Sequence, residues 1–132
     1  MTDTPHPNVA ALVTAFEKFQ TGDLSGFSPD YTHLGFNING TPRVFSGLPA
    51  FLELMGKVAT HVDVYQTEFA SMEVVGTELV QVIFDAYRRT HDGREYRGMF
   101  AGVFRIENGL LTRGSDMIDS SGEAYWSSLG FM

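Results

Sequence analysis

Two aspartates, Asp85 and Asp116, each stand alone in a segment whose other residues are apolar or small. Asp85 lies within Gln81–Tyr87 and Asp116 within Leu110–Ile118. Both segments have the composition of β-strands, in which Asp is rare, and a buried carboxylate is costly unless it is paired or hydrogen-bonded. If both side chains face inward, they mark a pocket where acid–base chemistry can occur. If they face outward, they carry no such meaning.

A third candidate is His33, which lies in the strand-like segment after Pro29. A histidine beside a carboxylate can serve as a partner base or can hydrogen-bond to Asp116. The alternative is a core histidine bonded to a backbone carbonyl. A positioned acid–base pair contributes about 10²–10⁴-fold to a rate. The predicted catalytic residues are therefore Asp116, Asp85 and His33.

Strand alternation extends this set to a predicted inner surface, because every second residue of a strand shares one face. If Asp85 points inward, so do Gln81, Ile83 and Tyr87. The same face would hold, in the following two segments, Tyr96, Gly98, Phe100, Gly102, Phe104, Thr112, Gly114, Asp116 and Ile118. The predicted ligand-binding residues are Tyr87, Tyr96, Phe100, Gln81 and Met55.

These assignments have structural alternatives. Asp85 can instead pair with Arg97 or Arg113 across strands, an exposed contact of a few tenths to about one kcal/mol. The two tyrosines can be ordinary sheet packing. The three glycines either leave space for a ligand or let the sheet bend.

Composition excludes several function classes. The chain has 132 residues, a formal net charge of −7 and no cysteine. An acidic chain is a poor ligand for nucleic acid or anionic membranes, so neither partner is expected. No phosphate loop, dinucleotide fingerprint or metal-ligand spacing is present, and no cofactor or metal is expected. No signal pattern or membrane-length apolar run is seen, which predicts a cytoplasmic protein.

The pattern of elements predicts an α+β fold with a flexible lead-in, residues 1–7, and a single domain, residues 8–132. Asn8 is expected to cap the first helix, and Asn39-Gly40 to close a hairpin after the first strand. Four long β segments follow a second helix that opens at Ser46–Pro49. The other predicted elements are a helical turn over 24–27, strands over 31–38, 62–75, 78–90, 94–107 and 110–118, and a closing helix over 123–129.

Short sequence motifs, which are spread over most of the chain, follow one another in a characteristic order. They are a helix end with Gly-Asp-Leu and then Phe-x-x-Asp (Phe19–Thr32), a helix start (Phe45–Phe51), a hairpin (Gly102–Leu111) and a final strand with its closing turn (Asp116–Asp119 and Leu129–Phe131). This order resembles the SnoaL-like members of the nuclear transport factor 2-like superfamily. The resemblance implies a cone formed by a curved antiparallel sheet wrapped on N-terminal helices.

Within that superfamily the stretch Asp85–Tyr96 resembles the limonene-epoxide-hydrolase branch. The resemblance places Asp85 and Asp116 at two catalytic carboxylates, with Ile83 where that branch has an arginine. The ketosteroid isomerase acids fall near Gly35 and Gly102, whereas a last-strand acid of SnoaL-like cyclases matches Asp116.

The resemblance implies a cofactor-free cyclase, isomerase or hydrolase acting on a small apolar or polycyclic metabolite. The alternative is a non-catalytic small-molecule-binding or dimerisation module. A homodimer is also predicted through an apolar outer sheet face, because such a face is too apolar to leave in water. The residues assigned to that face are Val82, Phe84, Ala86, Met99, Ala101 and Val103.

Overall fold

A computed structural model describes residues 6–38 and 41–130, apart from the side chains at 37, 38 and 42. These described residues form three helices and six strands. They are α1 (Pro7–Gln20), β1 (Phe27–Ile38), β2 (Thr41–Phe45), α2 (Leu48–His61), β3 (Val62–Val75), β4 (Leu79–Thr90), β5 (Glu95–Glu107), β6 (Leu110–Met117) and α3 (Ser120–Ser128).

The strands form one mixed sheet in the order β2-β1-β6-β5-β4-β3. Strands β3 to β6 are an antiparallel meander, and β1 pairs parallel with β6. The tight turns at Gly76, Gly93 and Gly109, each with a positive φ, join the four strands of the meander. The predicted α+β class is confirmed.

The main core lies between the sheet and helices α1 and α2. Leu12 and Ala15 of α1 are fully buried, and the Phe16 ring meets the Phe84 and Phe104 rings edge-on at 6.1 and 5.4 Å between centroids. Gly26 lets β1 approach α1 closely, since a side chain there would overlap the backbone of Ala15.

Burial in β4 fixes which face of the sheet points inward. Val80, Val82, Phe84 and Ala86 are buried, whereas Gln81 and Asp85 are exposed. The predicted parity of β4 is therefore wrong, and its inner face is the even one. The predicted outer face mixed both sides of the sheet: Val82, Phe84 and Ala86 belong to the interior, and Met99 is 62% exposed on the outside.

A second, smaller core lies beneath α3, where Tyr125, Trp126 and Leu129 pack against the inner face of the sheet. Asp119 caps this helix, and the backbone N–H of Gly122, which donates to its carboxylate, lowers the pKa of Asp119. The cap fixes the start of α3, which contacts β1 and β5.

Several local predictions differ from the structure. His6, not Asn8, caps α1 through its Nδ1 atom, and the Asn8 side chain instead donates to the Thr77 carbonyl at 2.9 Å. The predicted helical turn over 24–27 is wrong, because residues 25 and 26 form a turn and residue 27 begins β1. The predicted hairpin turn at Asn39-Gly40 and most of the predicted lead-in, residues 1–7, lie outside the described residues.

Across residues 6–38 and 41–130, no helix is both long and apolar enough to cross a membrane.

Candidate active site

A hydrogen-bonded chain of three polar side chains, two of them buried and one partly buried, crosses from β1 to β6. His33 Nε2 lies 2.7 Å from Asp116 Oδ2, and the Tyr31 hydroxyl lies 2.8 Å from His33 Nδ1. Tyr31 and His33 are 1% and 5% exposed, and the Asp116 side chain is 22% exposed. The predicted contact between His33 and Asp116 is confirmed, and Asp116 lies on the inner face as its strand parity predicts.

The hydrogen-bond partners assign the proton positions in this chain. Burial, and then the charge of Asp116, raises the pKa of Tyr31, so its hydroxyl keeps its proton and donates to His33 Nδ1. With Nδ1 assigned as the acceptor, the imidazole carries a proton on Nε2, which donates to Asp116 Oδ2. The order Tyr31, His33, Asp116 is therefore a continuous donor chain that ends on the carboxylate.

Parallel pairing of β1 with β6 brings the three residues together. His33 is opposite Gly114, and Asp116 is opposite Gly102 of β5. Phe51 of α2 packs on both rings of the chain, with centroids 5.2 Å from Tyr31 and 4.8 Å from His33. The ring contacts hold the tyrosine and histidine in place from the helix side.

The inner-face glycines do not leave empty space. A methyl group at Gly98 would overlap the Tyr96 hydroxyl, and one at Gly114 would overlap the Tyr31 hydroxyl and the Phe104 ring. At Gly102 it would lie 2.9 Å from the Ser115 carbonyl oxygen and 3.0 Å from the Phe104 ring. The protein's own side chains and backbone fill this space, so the first of the two predicted roles of these glycines, space for a ligand, is not found at them.

One small cavity remains beside the carboxylate, with a volume of about 40 Å³. It lies between the inner face of the sheet and α3. Its size suits a carboxylate group or a pair of waters, whereas drug-sized ligands occupy sites of about 300–1,000 Å³. The lining residues are Phe36, Tyr65, Ala86, Arg88, Tyr96, Phe100, Asp116, Ile118 and Trp126.

Arg88 is the charged residue that the sequence prediction missed. It is 2% exposed, and its guanidinium donates to the Gln66 and Tyr87 carbonyls and to the Thr67 hydroxyl, while it lies 3.5 Å from the centre of the Tyr65 ring. The sequence of β4 contained a signal for the inward position of Arg88. The even positions are the more apolar set, and Arg88 is the next even position after Val80, Val82, Phe84 and Ala86.

The structure brings together only some of the predicted ligand-binding residues. Tyr96 and Phe100 line the cavity, whereas Met55 packs half-buried against the main core. Gln81 is exposed on the outer face. Tyr87 shares that face, donates to Glu95 at 2.7 Å and has the Arg97 guanidinium 4.3 Å from the centre of its ring.

Asp85 takes no part in the site. It is exposed on the outer face, where its register neighbours are Glu68 of β3 and Met99 of β5. The prediction that it shares the pocket with Asp116 is wrong, because an odd position of β4 points away from the interior. The structural alternative, in which Asp85 pairs with Arg97 or Arg113, is also not found among the described residues.

A larger recess of about 550 Å³ lies away from the hydrogen-bonded side chains of Tyr31, His33 and Asp116, and neither His33 nor Asp116 lines it. The turn between β3 and β4 forms one wall, and Leu34, Val103 and Arg113 form part of the rest. Its Arg105 pairs with Glu78 at 3.2 Å, with both side chains more than 40% exposed. An exposed ion pair of this kind lacks the desolvated setting that acid–base chemistry requires.

The described part of the chain contains no group of three His, Cys, Asp or Glu side chains that is arranged to hold a metal ion. The inner polar residues form a hydrogen-bonded chain instead. The arrangement is suited to moving a proton at the Asp116 carboxylate.

Comparisons with solved structures match this fold over nearly the whole chain. A nuclear transport factor 2-like protein of unknown function from Burkholderia pseudomallei superposes with a TM-score of 0.77 at 19% identity, covering 97% of this chain and 100% of that one. TerC, co-crystallised with polyporic acid, gives 0.77 at 20% identity, covering 95% and 99%. A proposed SnoaL-like polyketide cyclase from Jannaschia sp. CCS1 gives 0.75 at 10% identity, covering 100% and 99%.

Neither the protein-family models nor the curated proteins give a match. At these identities, the solved structures establish architecture rather than activity. The mixed six-stranded sheet wrapped on its helices, with the full-length superpositions, shows that this chain has the nuclear transport factor 2-like cone fold.

Proposed function

We propose that the protein is a cofactor-free enzyme that moves a proton on a small, largely apolar carbonyl compound, in a cyclisation or isomerisation. The hydrogen-bonded chain from Tyr31 through His33 to Asp116 carries this proposal. A carboxylate in an apolar, partly closed site with a histidine beside it is a recurrent arrangement for general acid–base catalysis.

In the proposed step, Asp116 accepts a proton from the carbon next to the substrate carbonyl, and the electron pair of that C–H bond passes to the carbonyl oxygen as an enolate. His33 keeps the carboxylate oriented through its Nε2–H, and Tyr31 fixes the tautomer of the imidazole. In an isomerisation, the protonated Asp116 then returns the proton to a different carbon of a conjugated enolate. In a cyclisation, the enolate carbon instead forms a bond to a second carbonyl carbon of the same ligand, the π pair of that carbonyl passes to its oxygen, and Asp116 protonates the resulting alkoxide. Atoms and charge balance without a further reactant.

Epoxide hydrolysis by two carboxylates is a weaker candidate. That reaction, as the sequence resemblance implied it, uses one acid to activate water and a second to protonate the epoxide oxygen. Asp85 was the expected second acid, and it lies exposed on the outer face. One inner carboxylate favours a reaction in which the same group takes and returns a proton.

A non-catalytic binding module is the competing function, and the size of the cavity limits the ligand in the same way for both functions. At about 40 Å³ the cavity admits a ring-sized ligand only after the surrounding Phe36, Ile118 and Trp126 side chains move apart. A module of this kind would bind without turnover. A test for conversion of the bound ligand therefore distinguishes an enzyme from a binding module.

A homodimer through the outer sheet face is part of the proposal. Val103, Ser115, Leu34 and Val44 follow one another in register across β5, β6, β1 and β2. Met99 and Met117 extend this surface and are 62% and 52% exposed. A second copy of the chain would cover these apolar side chains.

Ligand-induced melting shifts test the proposal first. We expect an enolisable polyketide-type carbonyl compound to raise the Tm by several degrees, because a ligand that binds only the native state stabilises it. Steroids and terpene epoxides are the comparison arms. Stabilisation and turnover of a terpene epoxide alone would contradict the proposed reaction, and stabilisation by the carbonyl compound without its conversion would favour the binding module.

A further inference from the structure

Arg88 is a buried cation whose hydrogen-bond acceptors are all neutral. The Gln66 and Tyr87 carbonyls and the Thr67 hydroxyl accept from its guanidinium, and no carboxylate lies within 4.0 Å of it among the described residues. A charge removed from water is costly unless an opposite charge or a full set of hydrogen bonds replaces the solvent. This one faces the same cavity as Asp116.

Tyr96 provides a second, independent observation at that cavity. It is 8% exposed, and its hydroxyl is buried without a hydrogen-bond partner in the described part of the chain. Tyr96 is opposite Arg88 in the register of β4 and β5, so the two side chains share the inner face as neighbours. Burial raises the pKa of Tyr96, and its hydroxyl is therefore a donor at neutral pH.

The rim of the cavity is aromatic. Tyr65 is 47% exposed, and the Phe36 and Trp126 rings meet with centroids 6.2 Å apart. A charged donor and an unused hydroxyl beside an aromatic rim fit a ligand that ends in an anionic oxygen and carries an apolar ring. The small cavity is large enough for such an oxygen group.

We propose that Arg88 and Tyr96 bind the anionic oxygen of an aromatic acid or enolate ligand in this cavity. A catalytic role for this site rests on the proposed function, in which an enolate formed by Asp116 would lie against Arg88. The binding itself requires no turnover. It narrows the ligand class to compounds with a carboxylate, or an enolate-type oxygen, attached to an apolar ring.

The experiment compares benzoate with benzamide, which has the same shape without the charge, by isothermal titration of the full chain at neutral pH. We expect benzoate to bind wild-type protein at least about tenfold more tightly than benzamide, as a charge-assisted contact with arginine predicts. Arg88→Gln should abolish this preference. Arg97→Gln, which removes an exposed arginine from the neighbouring strand, should leave it intact.

Tyr96→Phe distinguishes a ligand-binding role from a structural one. Because the hydroxyl has no protein partner, we expect the variant to be at least as stable as wild type while its affinity for benzoate falls several-fold. Should Arg88→Gln fail to fold, the Arg88 Nε–Hε NMR signal of wild-type protein replaces it, and benzoate but not benzamide should shift that signal. Equal binding of the two probes, no binding of either, or an unchanged Arg88 signal would overturn the inference.

Asp116→Asn separates this inference from the proposed function. Removing the carboxylate lowers the negative charge at the cavity, so benzoate should bind the variant at least as tightly as wild type. If benzoate binds as expected but no carbonyl compound is converted, the catalytic proposal fails alone. If conversion occurs without any preference for the anion, the anion site fails alone.

Discussion

Replacing Asp116 by Asn is expected to lower kcat for the converted carbonyl compound by about 10²–10⁴-fold, which is the usual contribution of a positioned general base. Asparagine keeps the size of the side chain and can still hydrogen-bond to His33, but it cannot accept the substrate proton. Ligand affinity should change much less than kcat. Steady-state kinetics with the compound found by melting shifts give both quantities.

Asp85→Asn is the matched control, because Asp85 is an aspartate of the same sheet that lies exposed on the outer face. Its kcat should stay within about twofold of wild type, as surface changes away from a site usually have little effect. Equal losses in the two variants, or unchanged turnover in Asp116→Asn, would count against Asp116 as the base.

Gly114→Ala is expected to destabilise the protein by about 1–3 kcal/mol, the usual range for an overpacked core. A methyl group at 114 would overlap the Tyr31 hydroxyl and lie 2.8 Å from the Phe104 ring. Both residues are almost fully buried and have little room to yield. Because Tyr31 holds His33, turnover should fall as well. Urea denaturation measures the free energy of unfolding.

Gly56→Ala serves as the comparison for that variant. Gly56 lies in α2, and no atom lies within 4 Å of the position that its methyl group would take. Alanine should stabilise the helix by about 0.5–1 kcal/mol. Similar free energies of unfolding for the two alanine variants would show that the close contact at Gly114 has no energetic weight.

The strand boundaries followed well from the sequence because turns and alternation are local signals. The third strand runs over Val62–Val75 in both the prediction and the structure, and the Asp-Gly and Asn-Gly pairs mark the turns at Gly93 and Gly109. Residues 24–27 were misassigned as a helical turn because their few apolar residues suit one helical turn or an irregular connection equally well.

The site was only partly predictable, because a shift of one residue in the alternation of a strand moves every side chain to the other face of the sheet. His33 and Asp116 were found as polar residues in strands that otherwise favour apolar ones. Asp85 met the same criterion but lies on the other face, and giving it the inner face concealed Arg88. Tyr31 carried no signal, since a tyrosine in a strand is usually ordinary packing.

The volume of the cavity could not be predicted from the sequence. The glycines at 98, 102 and 114 indicated space, but the rotamers of the neighbouring aromatic rings decide whether that space is open or filled. Residue type does not determine those rotamers, which depend on the packing of all neighbours together.

The most direct test of whether His33 and Asp116 act as one proton-transfer unit is a double-mutant cycle. The measured quantity is the rate at which a hydrogen of the ligand exchanges with solvent. NMR in D₂O would follow deuterium entering the carbon beside the carbonyl of the bound ligand, in wild type, His33→Gln, Asp116→Asn and the double variant. If the histidine acts through the carboxylate, the double variant should exchange no more slowly than Asp116→Asn alone. Losses that multiply in the double variant, or exchange at the wild-type rate in the double variant, would contradict the account.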